Sequence, residues 1–449
     1  MIAAIAAGHP ATADAGAGIL AEGGNAADAA IAACLASCVA ETVMTGLLGG
    51  GHAIHLDATT GTVRSLDCFV SVPSGTGAPM EELRVPFGEE LVHYAVGASS
   101  CAVPGLPAGL DALWRAHGSL PWPRLVEPAL AIARGGVTMP PAHAACLAML
   151  APVMTMREGA TMYAPRGSLL GAGGRLEQPG LVRALELVRD EGAASVYRGS
   201  IADALLALVR ERDGVLTRGD LEAYEAHWSA PVEVPFAGRR VLSRAGLSSV
   251  PETLARLDTA GGDDALLAAL GDATGSGHTT NLSVVDAAGS ACVVTTSLGL
   301  GSGDWLPGLD LHLNSMLGET DLVRGPLAPG TRMHSMMAPT LAFDGVGLEL
   351  AAGAAGGTRL RTALVGVLAG TLVRGDGVQA AIDRPRFHAA AGILNAEPGV
   401  DEAFLARAEE RGHVVRRWPA RHHYFGGVSA VGRRGAGADP RRSGAVRRV

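Results

Sequence analysis

Apolar and polar positions divide the chain into recognisable elements. From Thr12 to Ala40 two Ala-rich apolar stretches flank a break at Gly23-Gly24-Asn25. Such a break supplies one helix end and the start of the next, so two helices are predicted there. Thr45-Gly46-Leu47-Leu48-Gly49-Gly50-Gly51 then leads into Ala53-Ile54-His55-Leu56, the pattern of a glycine-rich loop entering a strand. Residues 105–230 read as mostly helical, punctuated by Pro140-Pro141 and by Pro165 through Gly174. Residues 231–244 alternate as strands do. Thr279 to Asp286 and Ala291 to Ser297 predict two strands around a turn at Ala287-Ala288-Gly289. An apolar run from Leu348 to Ala355 stops at Gly356-Gly357, and a helical pattern covers Thr362 to Leu372. Around residues 258–277, Gly- and Asp-rich segments flank a short apolar helix from Ala265 to Leu270, which makes this stretch the expected linker.

Composition narrows the class. Hydrophobic residues make up 48% and net charge is only −8, which excludes a disordered chain. All 36 basic residues are Arg, and none forms a stripe suited to nucleic acid. The nearest run, Arg441-Arg442 with Arg447-Arg448, reads as a solvated tail. Cys34 and Cys38 share one helix face as small buried apolar residues, and no Cys-x-x-Cys pair occurs. This usage fits a reducing compartment. The first residues lack the basic start of a signal peptide. No apolar run of about 18 residues suggests a membrane span. Cytoplasmic residence is therefore the expectation, with no metal, no cofactor and no nucleic-acid or membrane partner.

The segment His278-Thr279-Thr280-Asn281-Leu282-Ser283-Val284-Val285-Asp286 resembles the start of the small subunit in γ-glutamyltransferases. Other similarities are colinear with it. They are Gly23-Gly24-Asn25-Ala26-Ala27-Asp28-Ala29, Gly46 to Gly51, Val103-Pro104-Gly105, Leu311 to Ser315, Arg332 to Thr340, Gly353 to Arg359, Pro385 to His388 and Ala438 to Arg441. Eight motifs in order make chance a poor explanation.

That resemblance implies an α+β fold, a four-layer αββα sandwich of the N-terminal-nucleophile hydrolase type. It implies self-cleavage between His278 and Thr279. The products would be a large-subunit-like segment, 1–278, and a small-subunit-like segment, 279–449, which stay associated as one catalytic domain acting on a small molecule. A Thr hydroxyl needs an adjacent base, and a chain-terminal Thr carries one in its α-amine, with a reference pKa of about 7.7–8.0. Gly356 and Gly357 are implied as oxyanion donors through their backbone N–H groups. Ser297 stands where the family has a second Thr bonded to the nucleophile, and Thr280 is expected near the nucleophile's amine.

The acyl-recognition set departs from the family. Phe69 stands at the position of the Arg that pairs with a glutamyl carboxylate. Ser335 and Met336 stand where two Ser are usual. Gly299, Met316 and Glu319 stand at the amine-holding positions, with Asp321 as an alternative to Glu319. The stretch from Ser248 to Gly277 is also shortened. A self-processing hydrolase or acyltransferase acting on an amide-type bond with altered acyl recognition is expected. A true γ-glutamyltransferase, a carbon–carbon bond hydrolase of antibiotic-precursor biosynthesis and an unprocessed scaffold remain as alternatives.

Overall fold

A computed structural model describes residues 2–87, 90–271 and 279–449. Two antiparallel sheets stack between two layers of helices, the expected αββα sandwich. The first sheet runs Ala445–Arg448, Ala4–Ala7, Thr280–Val285, Ala291–Ser297, Gly50–Asp57, Thr62–Cys68 and His227–Ser229. The second runs Gly435–Ala438, Gly427–Gly432, Gly347–Ala355, Thr340–Asp344, Arg239–Ser243 and Val232–Phe236. Ile54, Val285, Val293, Leu341, Ala351 and Val431 meet between the sheets. Both faces of each sheet are thus covered, and the central strands are apolar on both sides.

The first helix, α1 (Pro10–Ala21), and the second, α2 (Ala26–Ala40), match the two predicted stretches. Every residue of α2 is buried, which is why its sequence shows no polar face. Gly23 takes φ +90°, and the Asn25 side chain accepts from the N–H groups of Ala27 and Asp28. Asp28 accepts in return from the Asn25 N–H at 3.1 Å and from the Ser119 N–H at 3.0 Å. The Gly-Gly-Asn-Ala-Ala-Asp motif is therefore a reciprocal cap that also clamps a distant helix connection.

Two expectations are corrected, and a third falls on residues that are not described. The helix of the presumed linker starts at Gly262, and Leu266, Leu267 and Leu270 pack into the second helical layer, so this part is structure. Residues 272–278, including His278 and the expected cleavage bond's carbonyl side, lie outside the described residues. The C-terminal Arg run is no solvated tail. Arg441 is buried, bonded to Glu397 and Asp439 and to the carbonyls of Ile382 and Arg384. Paired acids make burial of that guanidinium affordable. Residues Ala445–Arg448 then form an edge strand on Ala4–Ala7, a four-residue run too short to show any periodicity.

Candidate active site

Thr280 lies opposite Thr296 and Asn281 opposite Thr295 in the antiparallel register. One step further sets Thr279 opposite Ser297, with both side chains on one face. That face looks toward the second sheet: the Ser283 hydroxyl donates to the Ser429 carbonyl at 2.8 Å. Thr280, Leu282 and Val284 face the other way, into the first helical layer. The Thr280 hydroxyl there donates to the buried carboxylate of Glu41. The Thr280 hydroxyl proton is thus engaged by Glu41, on the face opposite the Thr279 side chain.

The strand Gly347–Ala355 ends beside this face, and the chain reverses through Gly356 at φ +126° and Gly357 at φ +58°. These are values that a side chain disfavours. A Cβ on Gly356 would also sit 2.8 Å from the Gly426 Cα, so bare backbone is required there. The turn delivers the chain into the helix Arg359–Leu368 and leaves Gly357 on the wall of a cavity shared with Thr279 and Ser297.

The rest of that wall is Phe69, Met316, Glu319, Leu322, Ser335, Met336, Met337 and Leu360. The free space is about 30 Å³, room for a water molecule or two rather than an acyl chain. Phe69 closes one side, stacked on His52 with ring centroids 5.6 Å apart. Its N–H donates to Asp67 and its carbonyl accepts from Arg332. Arg244 donates to the carbonyls of Ser335 and Met337, which fixes the segment carrying Met336. Asn314 fixes the opposite segment. It donates to the carbonyls of Leu48 and Ala102 and accepts from the N–H groups of Ala102 and Met316. One amide thus ties two of the motifs seen in the sequence to the residue that precedes a third, Val103-Pro104-Gly105.

Glu319 is the one acid on this wall among the described residues. Burial, reinforced by Asp321, pushes its carboxyl up to about 8, while an N–H from Leu300 opposes the shift. One of its oxygens has no hydrogen-bond partner. Asp321 itself is not on the wall, so Glu319 holds the acidic position. Gly299 stands against Glu319 and leaves it space. It takes φ +71°, and a Cβ there would fall 2.3 Å from Glu319 Oε1. Among the described residues no Arg lines the cavity.

The sequence reading missed Glu41 and Arg442. Both lie behind Thr279, in a second cavity that Thr279 and Thr280 also line. Each sits in an apolar or Arg-rich run with no spacing signal. Among the described residues no group of three or more His, Cys, Asp or Glu is arranged for a metal ion.

Comparison with known proteins identifies the family. The family model described as gamma-glutamyltranspeptidase matches residues 12–260 and 256–449. The acylase ACY 1 proenzyme of Pseudomonas sp. (strain V22) is 27% identical over 94% of this chain and 88% of its own. Glutathione hydrolase proenzyme 1 of Schizosaccharomyces pombe is 26% identical over 93% of this chain and 79% of its own. The crystal structure of cephalosporin acylase from Bacillus halodurans superposes with a TM-score of 0.82 at 22% identity, covering 99% of this chain and 95% of that one. The fold, the colinear motifs and a family match along almost the whole sequence agree: the chain belongs to the gamma-glutamyltranspeptidase family and is an N-terminal-nucleophile hydrolase or acylase.

Proposed function

We propose that this enzyme processes itself before Thr279 and then uses that residue to transfer or hydrolyse an acyl group from an amide-type bond. The acyl group it takes carries no carboxylate at the position where a glutamyl group has one. The observation that carries this reading is the composition of one cavity. Thr279, Ser297 and Gly357 share it with Phe69, Met316 and Met336 and, among the described residues, with no cationic side chain. A nucleophile, a neighbouring hydroxyl and a glycine N–H are what acyl transfer requires. A carboxylate pressed against Phe and Met side chains without a cation is poorly solvated. Glu319 leaves room for a polar or cationic group on the acyl chain. Relatives named as acylases and as glutathione hydrolases both fall within the family, which supports variable acyl recognition on one scaffold.

The two products of processing would be residues 1–278 and 279–449, held together as one domain. Intact-mass analysis of purified protein tests the first half of the reading. Wild type should give two fragments and Thr279→Ala a single inactive chain. A panel of anilides with different acyl groups tests the second half. A single uncleaved, inactive wild-type chain would favour a scaffold, and efficient glutathione turnover would favour a true γ-glutamyltransferase.

A further inference from the structure

Acyl transfer at Thr279, on which this inference rests, needs room for an acyl group. The cavity that Thr279 shares with Ser297 and Gly357 holds about 30 Å³ of free space, too little for an acyl chain. An acyl group bonded to Thr279 must therefore displace side chains, and the make-up of the wall decides which ones yield. We infer that Met316, Met336 and Met337 form an adaptable acyl pocket that opens around a straight-chain, apolar acyl group longer than butanoyl.

These three belong, with Met333 and Phe69, to a small apolar cluster apart from the main cores. Four of its nine buried residues are Met, from 12 in the whole chain. Among the described residues, the cluster between the sheets and the one in the second helical layer contain no Met. Branched and small side chains fill those cores and hold a single packing. Met has an unbranched stem with three rotatable bonds and a polarisable sulfur, so it repacks around a guest with little strain.

The backbone beneath these side chains does not share that freedom. Residues 333–339 form neither helix nor strand. Even so, Arg244 donates to the carbonyls of Ser335 and Met337, and the Leu247 N–H also donates to the Ser335 carbonyl. The Met333 N–H donates to the Val70 carbonyl and the Met337 N–H to the Ser335 hydroxyl. On the facing segment the Met316 N–H donates to Asn314. With the main chain pinned on both sides of Met336, the side chains are what can yield. Met336 is the most accessible of the four Met, 8% exposed against 1% for Met316 and 4% for Met333 and Met337. Its rotation therefore opens the cavity with the least loss of packing.

A straight chain suits such a pocket, because it fills space as side chains turn aside one by one. A branched or planar group needs its full width at once. A charged acyl end would lose its hydration against Met and Phe, with no cationic side chain among the described residues of the wall. Burial pushes the Glu319 carboxyl up to about 8, so at pH 7 it stands neutral beside an apolar chain. In the reaction the Thr279 oxygen bonds to the acyl carbon and the amide carbon–nitrogen bond breaks. The hydroxyl proton passes by way of the Thr279 α-amine to the departing amine. Water then adds its hydroxyl to the acyl carbon and returns a proton to the Thr279 oxygen, releasing the carboxylic acid.

Purified wild type, with processing checked by intact mass, is assayed at pH 7 on the 4-nitroanilides of butanoic, hexanoic, octanoic and decanoic acids. Each buried methylene should raise kcat/KM about fourfold until the pocket is full, so octanoyl should exceed butanoyl by on the order of 10². Met336→Ile brings a β-branched side chain that cannot turn aside without leaving its rotamer. It should lower the octanoyl-to-butanoyl ratio by about 3- to 10-fold. Met336→Ala should move the optimum to a longer chain. A ratio taken within each variant separates acyl recognition from a general loss of activity. If Met336→Ile does not process, Met336→Ala and the wild-type series carry the test. A wild-type ratio at or below one, or a chain-length profile unchanged in the processed variants, would overturn the inference and leave acyl transfer at Thr279 standing. Wild type that is never cut before Thr279, or that is cut and turns over no anilide, would instead overturn the reading of Thr279 itself.

Discussion

Glutathione should be a poor substrate, and the cavity sets the size of the effect. A γ-glutamyl group carries a carboxylate and an ammonium on one carbon. The ammonium can face Glu319, but the carboxylate would face Phe69, Met316 and Met336 with the Ser335 hydroxyl as its one recognition donor among the described residues. Hydrogen bonds to charged groups contribute about 1.5–3 kcal/mol each. Losing two of them in the transition state lowers kcat/KM by roughly two to four powers of ten, at about 1.36 kcal/mol per decade. The assay compares three anilides with one leaving group: γ-glutamyl, 4-aminobutanoyl, which lacks the carboxylate, and butanoyl, which lacks both charges. The γ-glutamyl donor should be the poorest, at least about 100-fold below 4-aminobutanoyl. Glutathione turnover with kcat/KM of about 10⁴ M⁻¹s⁻¹ or more would refute the reasoning. The reverse experiment installs what is missing. Phe69→Arg with Met336→Ser should raise γ-glutamyl turnover, and no rise with processing intact would remove both residues from acyl recognition.

Thr279→Ser should still process, more slowly than wild type, as read by the appearance of two fragments on a denaturing gel. Glu319 gives a pH signature in stability. Its carboxyl is raised from 4.5 to about 8 in the folded chain, so the folded state holds a proton the unfolded state has lost, and stability falls as pH rises between those values. Glu319→Gln should therefore raise the melting temperature at pH 8 and change it little at pH 4.5, and equal shifts at both would contradict the assignment. Arg441→Met should destabilise the fold by about 3–5 kcal/mol, because it strands the buried Glu397 carboxylate. Chemical denaturation of the unprocessed Thr279→Ala background measures this.

The strands around Thr279 and the paired helices before it were legible because their signals are local. Gly-Gly-Asn is a cap wherever it occurs, and alternation from Thr279 onward needs no partner to be recognised. Phe69, Met316, Glu319, Ser335 and Met336 could be named because colinear motifs carried them to one cavity. What was hidden depends on contacts across the chain. Glu41 looks like the polar end of an apolar helix until Thr280, 239 positions later, is bonded to it. Gly299 looks like a recognition residue until the Glu319 carboxylate is seen to fill the space beside it. Arg441 and Arg442 look like solvent-facing charge because the acids that surround Arg441 lie at Glu397 and across a turn at Asp439. The strand Ala4–Ala7 is four apolar residues, three of them Ala, and only its neighbours make it a strand.

The order of the first sheet bears on how the enzyme would come apart. Ala4–Ala7, from the upstream half, lies between Ala445–Arg448 and Thr280–Val285, both from the downstream half. In the second sheet Arg239–Ser243 pairs with Thr340–Asp344 across the same divide. Once the chain is cut before Thr279, the two pieces are interleaved and share both cores. Dissociation and unfolding then become the same event. Before the cut, loss of structure is unimolecular and its midpoint is independent of protein concentration. Afterwards two molecules must find each other again, so the midpoint should rise with concentration and refolding should turn second order. The Thr279→Ala chain, which cannot make that transition, provides the reference curve.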